Sequence, residues 1–134
     1  APDPELMSSA EMSELSGCRA ASTMLSLPLP PTAFLASSMI PGLGVRRAIE
    51  ERGLRLGTDV SVIIHDDDLS YLRNGEDVPI YTATRSSVRE AGRLAAEMLL
   101  TIIASPEAAQ QQRLLEAELI IGQSTGPVPQ TQRS

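Results

Sequence analysis

Four stretches of this chain carry residue types and spacings that could do chemistry. Gly122-Gln123-Ser124-Thr125-Gly126 spells Gly-x-Ser-x-Gly, the pattern of a hydrolase nucleophile elbow, whose serine sits on a sharp turn between a strand and a helix. Apolar residues up to Ile121 supply a strand ahead of it, but Pro127 and Pro129 follow and no helix can complete the elbow. The only histidine, His65, lies upstream, whereas that fold places its histidine after the serine. The pentapeptide reads as a polar turn, and no catalytic residue is assigned.

Asp66-Asp67-Asp68 beside His65 suggests a hard-cation site, since carboxylate and imidazole both ligate metals. Consecutive residues at a strand end point in divergent directions, and no second cluster supplies further ligands, so no metal is expected. A carboxylate at the C-terminal end of a parallel strand is, however, where open α/β sheets bind small ligands. Asp66 is placed there, with two oxygens able to accept hydrogen bonds from sugar hydroxyls. Gly42-Leu43-Gly44 opens a helix as a dinucleotide fingerprint would, but Arg47 stands where the third glycine is required. Those glycines instead predict close approach of this helix to the sheet or to a partner, and no cofactor is expected. Cys18, the single cysteine, excludes an internal disulfide and reads as a small buried apolar residue.

The elements that must hold these residues follow from periodicity. Leu15, Cys18, Ala21, Met24 and Leu25 recur at helical spacing after Ser13, a fitting N-cap, and the helix must stop before Pro28, Pro30 and Pro31. Thr32 to Ala36 reads as a buried strand, and about Pro41 to Arg52 as a second helix stopped by Gly53. Asp59 to His65 is β-branched and almost continuously apolar, as in a strand covered on both faces. Asp66 to Pro79 is polar and turn-rich, with one helical turn through 69–72, and Ile80 to Thr84 is a third strand. Ser87-Val88-Arg89-Glu90 is a capping box that opens the longest helix, running to Ala104 with Ala91, Leu94, Ala95, Met98, Leu99 and Ile102 as its apolar face. Leu114 to Ile121 forms the last strand or extended segment, and a Pro-, Gln- and Ser-rich stretch closes the chain, read as disordered over 128–134. Strands alternating with helices imply a parallel sheet flanked by helices, an α/β class of Rossmann-like form.

Composition narrows the function. The 134 residues fit one domain and carry a net charge of −6, which opposes a nucleic-acid surface because phosphate neutralisation needs clustered Lys and Arg. The nearest cluster, Arg46, Arg47, Arg52 and Arg55, is interleaved with Glu50 and Glu51 and reads as a solvated face of mixed charge. No apolar run is long enough to span a bilayer and no secretory leader opens the chain, so no membrane partner and a cytoplasmic address are expected.

The stretch Pro31-Thr32-Ala33-Phe34, followed by GLGVRRAIEERGLRLGTDVSVIIHDDD, resembles the signature block of the LacI/GalR family of bacterial transcription regulators. Ser13-Glu14-Leu15-Ser16-Gly17 is similar to that family's Ser-Gly helix start. Thr82-Ala83-Thr84-Arg85 resembles its Thr-Thr-Val-Arg crossing segment. Leu119-Ile120-Ile121 with Ser124-Thr125 is similar to its closing Leu-Val-Val-Arg-Glu-Ser-Thr. Residues 7 to 127 are covered in collinear order.

The resemblance implies that residues 1–127 are the C-terminal part of a periplasmic-binding-protein-like effector domain. It implies a homodimer that binds a small effector, a sugar, and controls operator DNA through a head domain outside this chain. Asp66 falls on the family's ligand-binding aspartate, Ser38 on a position usually held by Asn, and Met12 where an aromatic lines the sugar pocket. Met39 stands in place of an Asp, and His65 in place of an aromatic or apolar residue. The resemblance further implies that a strand from the missing half lies beside 32–36. This chain is therefore incomplete on its N-terminal side, with an unpaired strand edge and an uncovered apolar face around Leu94–Met98. The competing reading is a periplasmic sugar-binding protein of the same architecture serving a transporter.

Overall fold

In a computed structural model the described residues are 3–68, 71–107 and 109–129. Helix α1, Glu14–Met24, begins where Ser13 accepts a hydrogen bond from the Ser16 N–H at 3.1 Å, and it buries Gly17, Cys18, Ala21 and Met24. Helix α2, Met39–Glu51, starts earlier than periodicity suggests because Ser38 is its N-cap. Pro41 then falls in the first turn, where its missing N–H is not required. The two helices meet through glycine. A Cβ on Gly17 would lie 2.3 Å from the Pro41 carbonyl oxygen, and one on Gly44 only 1.9 Å from that of Glu14. Gly42 faces the other way, where a Cβ would press on Ile64 of the sheet at 2.7 Å. Both expected roles of the Gly42–Gly44 pair, approach to the sheet and to a partner helix, are present.

The sheet has four strands in chain order, β1 (Ala33–Ala36), β2 (Ser61–Asp66), β3 (Thr82–Arg85) and β4 (Glu118–Ile120). The first three are parallel and β4 runs antiparallel to β3, with Ala83 opposite Ile120. The sheet is thus mixed, with a parallel body and an antiparallel edge. The last strand is only three residues long, and Leu114 to Ala117 lie outside it with their side chains exposed. The third strand begins at Thr82 because the backbone of Tyr81 is held by the Asn74 side chain.

The core lies between α2 and one face of the sheet, where Ala48, Ile49, Val62, Ile64, Tyr81 and Ala83 are almost fully buried. Cys18 is free and buried as expected. Strand β2 is covered on one face and not on both: Val62, Ile64 and Asp66 are buried while Ser61, Ile63 and His65 stay partly open. On that opposite face Leu35, paired with Ile63, is 83% exposed, and no helix packs there among the described residues. Arg46 pairs with Glu50, and Arg47 with Glu51 and Glu14, while Arg52 reaches back to the Ser22 carbonyl at 2.6 Å. The basic cluster is therefore the mixed, solvated face that its spacing predicts.

Helix α3, Val88–Ala104, is capped by Ser87, whose Oγ accepts from the Glu90 N–H at 3.2 Å. Glu90 turns to Arg93 instead of back to the cap, so the capping box is half formed. None of the residues of α3 is buried, and it makes no substantial packing contact with any other element. On its apolar side Leu94 and Met98 are half-buried, while Leu99, Leu100, Ile102 and Ile103 are exposed, and β1 is an edge strand of the sheet. Of the expected helical turn through 69–72, residues 69 and 70 lie outside the described residues and 71 and 72 form a turn and a bend; most of the 128–134 tail also lies outside them.

Candidate functional site

The register of the sheet sets the site. Ala36 of β1 pairs with Ile64 of β2, so Ser38 and Asp66, each two residues further on, leave the sheet at one level. Asp66 is the last residue of β2, 5% exposed, and its cross-strand partner is Arg85 at the end of β3. Arg85 donates to Asp66 Oδ2 from Nε at 3.2 Å and from Nη2 at 3.1 Å, while Oδ1 accepts the Asp68 N–H at 3.0 Å. A buried carboxylate is tolerable only when paired and hydrogen-bonded in this way.

The pair forms the floor of a polar cavity of about 680 Å³, with Asn74, Glu76, Asp77 and Arg73 on one side and Ser87 and Arg89 on the other. The loop wall is fixed by Asn74, which donates to the Tyr81 carbonyl at 2.8 Å and accepts from its N–H at 2.7 Å. Sequence reasoning missed this residue, because an amide clasping a backbone seven positions away leaves no periodic trace. Gly75 turns the loop at φ +85°, in the left-handed region that favours glycine.

The aspartates do not converge on a cation. Asp66 faces Arg85, Asp67 meets His65 Nε2 at 3.2 Å, and Asp68 is exposed. His65 also shares hydrogen bonds with Thr84 Oγ1 at 2.9 Å and Ser86 Oγ at 3.1 Å, so both ring nitrogens are engaged with the end of β3.

Ser124 is fully buried, and its turn locks the sheet together. Its Oγ accepts the Thr82 N–H at 2.8 Å and donates to the Val62 carbonyl, while its own carbonyl accepts the Val62 N–H at 2.8 Å. A hydroxyl so engaged, with no base beside it, cannot serve as a nucleophile. The turn reading holds, but the turn is a buried wedge between β2 and β3 and not a surface loop.

The sequence profile of the periplasmic binding protein-like domain matches residues 2–125. The chain belongs to that family. Within it the relatives are LacI-type transcription regulators. The chain is 43% identical over 128 residues to the HTH-type transcriptional regulator AglR of Rhizobium meliloti, covering 95% of this chain and 36% of that protein. It spans about a third of the length of the curated relatives it matches. Among solved structures it is similar to a lac repressor dimer bound to operator and an anti-inducer. The identity there is 30% and the TM-score 0.73, over 86% of this chain and 39% of that one. It is also similar to a transcriptional regulator CelR–cellobiose complex, at 26% identity and TM-score 0.77 over 92% and 37%.

Of the three effector positions that the LacI-type resemblance implies, Asp66 lines the polar cavity, Met12 lines another, and Ser38 lines neither. Ser38 is 7% exposed at the N-terminus of α2, and its Oγ has no hydrogen-bond partner; unlike Ser13 and Ser87 it caps nothing with its side chain. It stands level with Asp66 on the neighbouring connection. Met12, by contrast, is 60% exposed and lines a separate, more apolar cavity of about 540 Å³ between α1, the edge of β1 and the stretch around Leu6. No residue lines both cavities. Arg85, the residue that most constrains Asp66, was legible only as part of the crossing segment. Opposite charges at the ends of adjacent parallel strands were the signal that would have found it.

Proposed function

We propose that this chain is part of the effector-binding domain of a transcription regulator, and that it takes a small polyhydroxylated ligand, a sugar, at the C-terminal ends of β2 and β3. The observation that carries the reading is Asp66: a buried carboxylate oriented by Arg85 and the Asp68 N–H at the floor of a polar cavity. Open α/β sheets bind ligands at this edge, and polar groups converging in a concave site fix orientation. The intact protein acts as a homodimer, and effector occupancy there sets the operator affinity of a separate head domain. No covalent step is needed for this role, and the relatives being regulators sets a transport role aside.

A ligand changes an equilibrium only by binding one state better than another. Operator affinity of the full-length protein, measured at fixed salt, should therefore shift when a bound sugar is added, and an unchanged affinity overturns the sensor role. Asp66→Ala should weaken calorimetrically measured sugar binding by at least tenfold, through loss of a hydrogen bond to a charged group of about 1.5–3 kcal/mol. Undiminished binding removes Asp66 from the site.

A further inference from the structure

Resting on that reading, we propose that Arg85 contacts the effector directly, and that Asp66 and Arg85 form one recognition unit for a pair of neighbouring hydroxyls on an uncharged sugar. The argument is a count of hydrogen-bonding capacity. An ionised carboxylate offers about four acceptor sites. Asp66 has committed three of them, one to the Asp68 N–H and two to Arg85. What remains holds one hydroxyl, and one hydroxyl does not distinguish one sugar from another.

Arg85 carries the rest of the capacity. A guanidinium has five N–H donors and no acceptor, and it stays charged. The two spent on Asp66 leave three, which find no acceptor among the described residues, and the side chain is 34% exposed along the wall of the same cavity. Nε and Nη2 both bond Oδ2, at 3.2 and 3.1 Å, so the ion pair holds the guanidinium beside the carboxylate. The acceptor site left on Oδ1 and the unused donors of Arg85 thus belong to adjoining groups that line one cavity, where two neighbouring hydroxyls of a sugar ring can meet them together. One hydroxyl donates to Asp66, and its neighbour accepts from Arg85.

The balance of charge argues for neutral hydroxyls over a carboxylate or phosphate. The described lining carries Asp66, Asp68, Glu76 and Asp77 against Arg73, Arg85 and Arg89. An anion would gain from Arg85 but would sit among a majority of carboxylates, and like charges brought close repel. A neutral diol uses the Asp66–Arg85 pair without disturbing it.

The test uses the full-length protein and calorimetric titration with cellobiose, glucose, galactose, maltose and sucrose, and with glucuronate and galacturonate as anionic arms. For the sugar that binds, each monodeoxy analogue is titrated in turn. The wild type should reject two analogues, those lacking either neighbouring hydroxyl, each by about tenfold or more, the size of one lost hydrogen bond to a charged group. In Arg85→Met the parent sugar should weaken to that level, and the discrimination against one of the two analogues should vanish while that against the other, whose missing hydroxyl meets Asp66, remains. Arg85→Lys, which keeps a charge but loses the planar fork, should recover part of the affinity and little of the discrimination.

If Arg85→Met weakens the parent and both analogues by equal factors, Arg85 only positions Asp66 and the proposal is wrong. The same holds if a uronate outbinds every neutral sugar. If Asp66→Ala abolishes binding and Arg85→Met leaves it intact, the proposal fails while the effector reading stands. If no arm binds, or neither substitution has any effect, the reading itself falls. Far-UV circular dichroism of each variant, with Arg85→Lys as the milder change, shows that the fold is retained.

Discussion

Removing the Ser124 hydroxyl should be among the most damaging single-atom changes available in this chain. Ser124→Ala leaves the Thr82 N–H without its acceptor and takes one donor from the Val62 carbonyl, and Ser124, Thr82 and Val62 are no more than 3% exposed. Leaving a buried polar group unsatisfied costs about 1–3 kcal/mol. The N–H has a single hydrogen and bears the larger share, about 2–3 kcal/mol; the carbonyl keeps a second lone pair and loses about 1 kcal/mol. The backbone bond between the Val62 N–H and the Ser124 carbonyl survives the change. A loss of about 3–4 kcal/mol is large against a total stability of about 5–15 kcal/mol, yet it leaves a folded protein. With a urea slope of about 2 kcal/mol per molar, the midpoint should fall by about 1.5–2 M at unchanged slope. Urea titration of both proteins at pH 7, followed by far-UV circular dichroism, measures this directly. A midpoint within about 0.5 M of wild type, at the same slope, would mean that the wedge between β2 and β3 does not hold the sheet together.

Three further outcomes follow from the packing and the free surfaces. Gly44→Ala should destabilise by about 2 kcal/mol or more although alanine is the better helix former, because its Cβ would meet the Glu14 carbonyl at 1.9 Å; a thermal midpoint at or above wild type would refute the close α1–α2 contact. Tyr81 is buried and its phenol is held above its ordinary range by desolvation, with Arg46 opposing. Its neutral form is favoured in the fold, so its contribution is complete below about pH 10 and lost as pH rises beyond; Tyr81→Phe should blunt alkaline unfolding, and superimposable alkaline titrations would refute this. The unpaired edge of β1 and the exposed apolar residues of α3 should make the isolated 134-residue chain associate, since free strand edges and apolar patches recruit partners. Light scattering that reports a monodisperse monomer of 14.3 kDa would contradict it.

Features with a local cause were readable from the sequence. Ser13 and Ser87 announce their helices because a cap is a contact between residues three apart. Gly42 and Gly44 announce close packing because nothing else in a helix interior repays their flexibility. Asp66 was placed by the rule for strand ends, and its burial agrees with that placement. The illegible features join distant residues. Ser124 reaches Val62 across 62 positions and Thr82 across 42, and no pattern in either segment announces the other. The same is true of β4, whose three residues pair with β3 while the equally apolar Leu114 and Leu115 do not. Ile63 and Leu35 are apolar enough for a two-sided core, yet hydrophobicity states only what a face would bury, not whether a neighbour is present to bury it. Met12 fell to a separate cavity because α1 turns the stretch before it toward the β1 edge and away from the cavity of Asp66.

Helix α3 leaves the sheet three residues after Arg85, directly beside the cavity floor, and runs for 17 residues with no substantial packing contact to another described element. At a rise of 1.5 Å per residue its far end lies about 25 Å from its root. A change of about 10° in its direction at Ser86–Ser87 would sweep that end through about 4 Å. Atoms at the root, where Ser86 bonds His65 and Arg85 holds Asp66, would move by only a fraction of that distance. A small rearrangement between the ends of β2 and β3 is thus converted, by the length of α3 alone, into a displacement large enough to break or remake a packed contact at its tip.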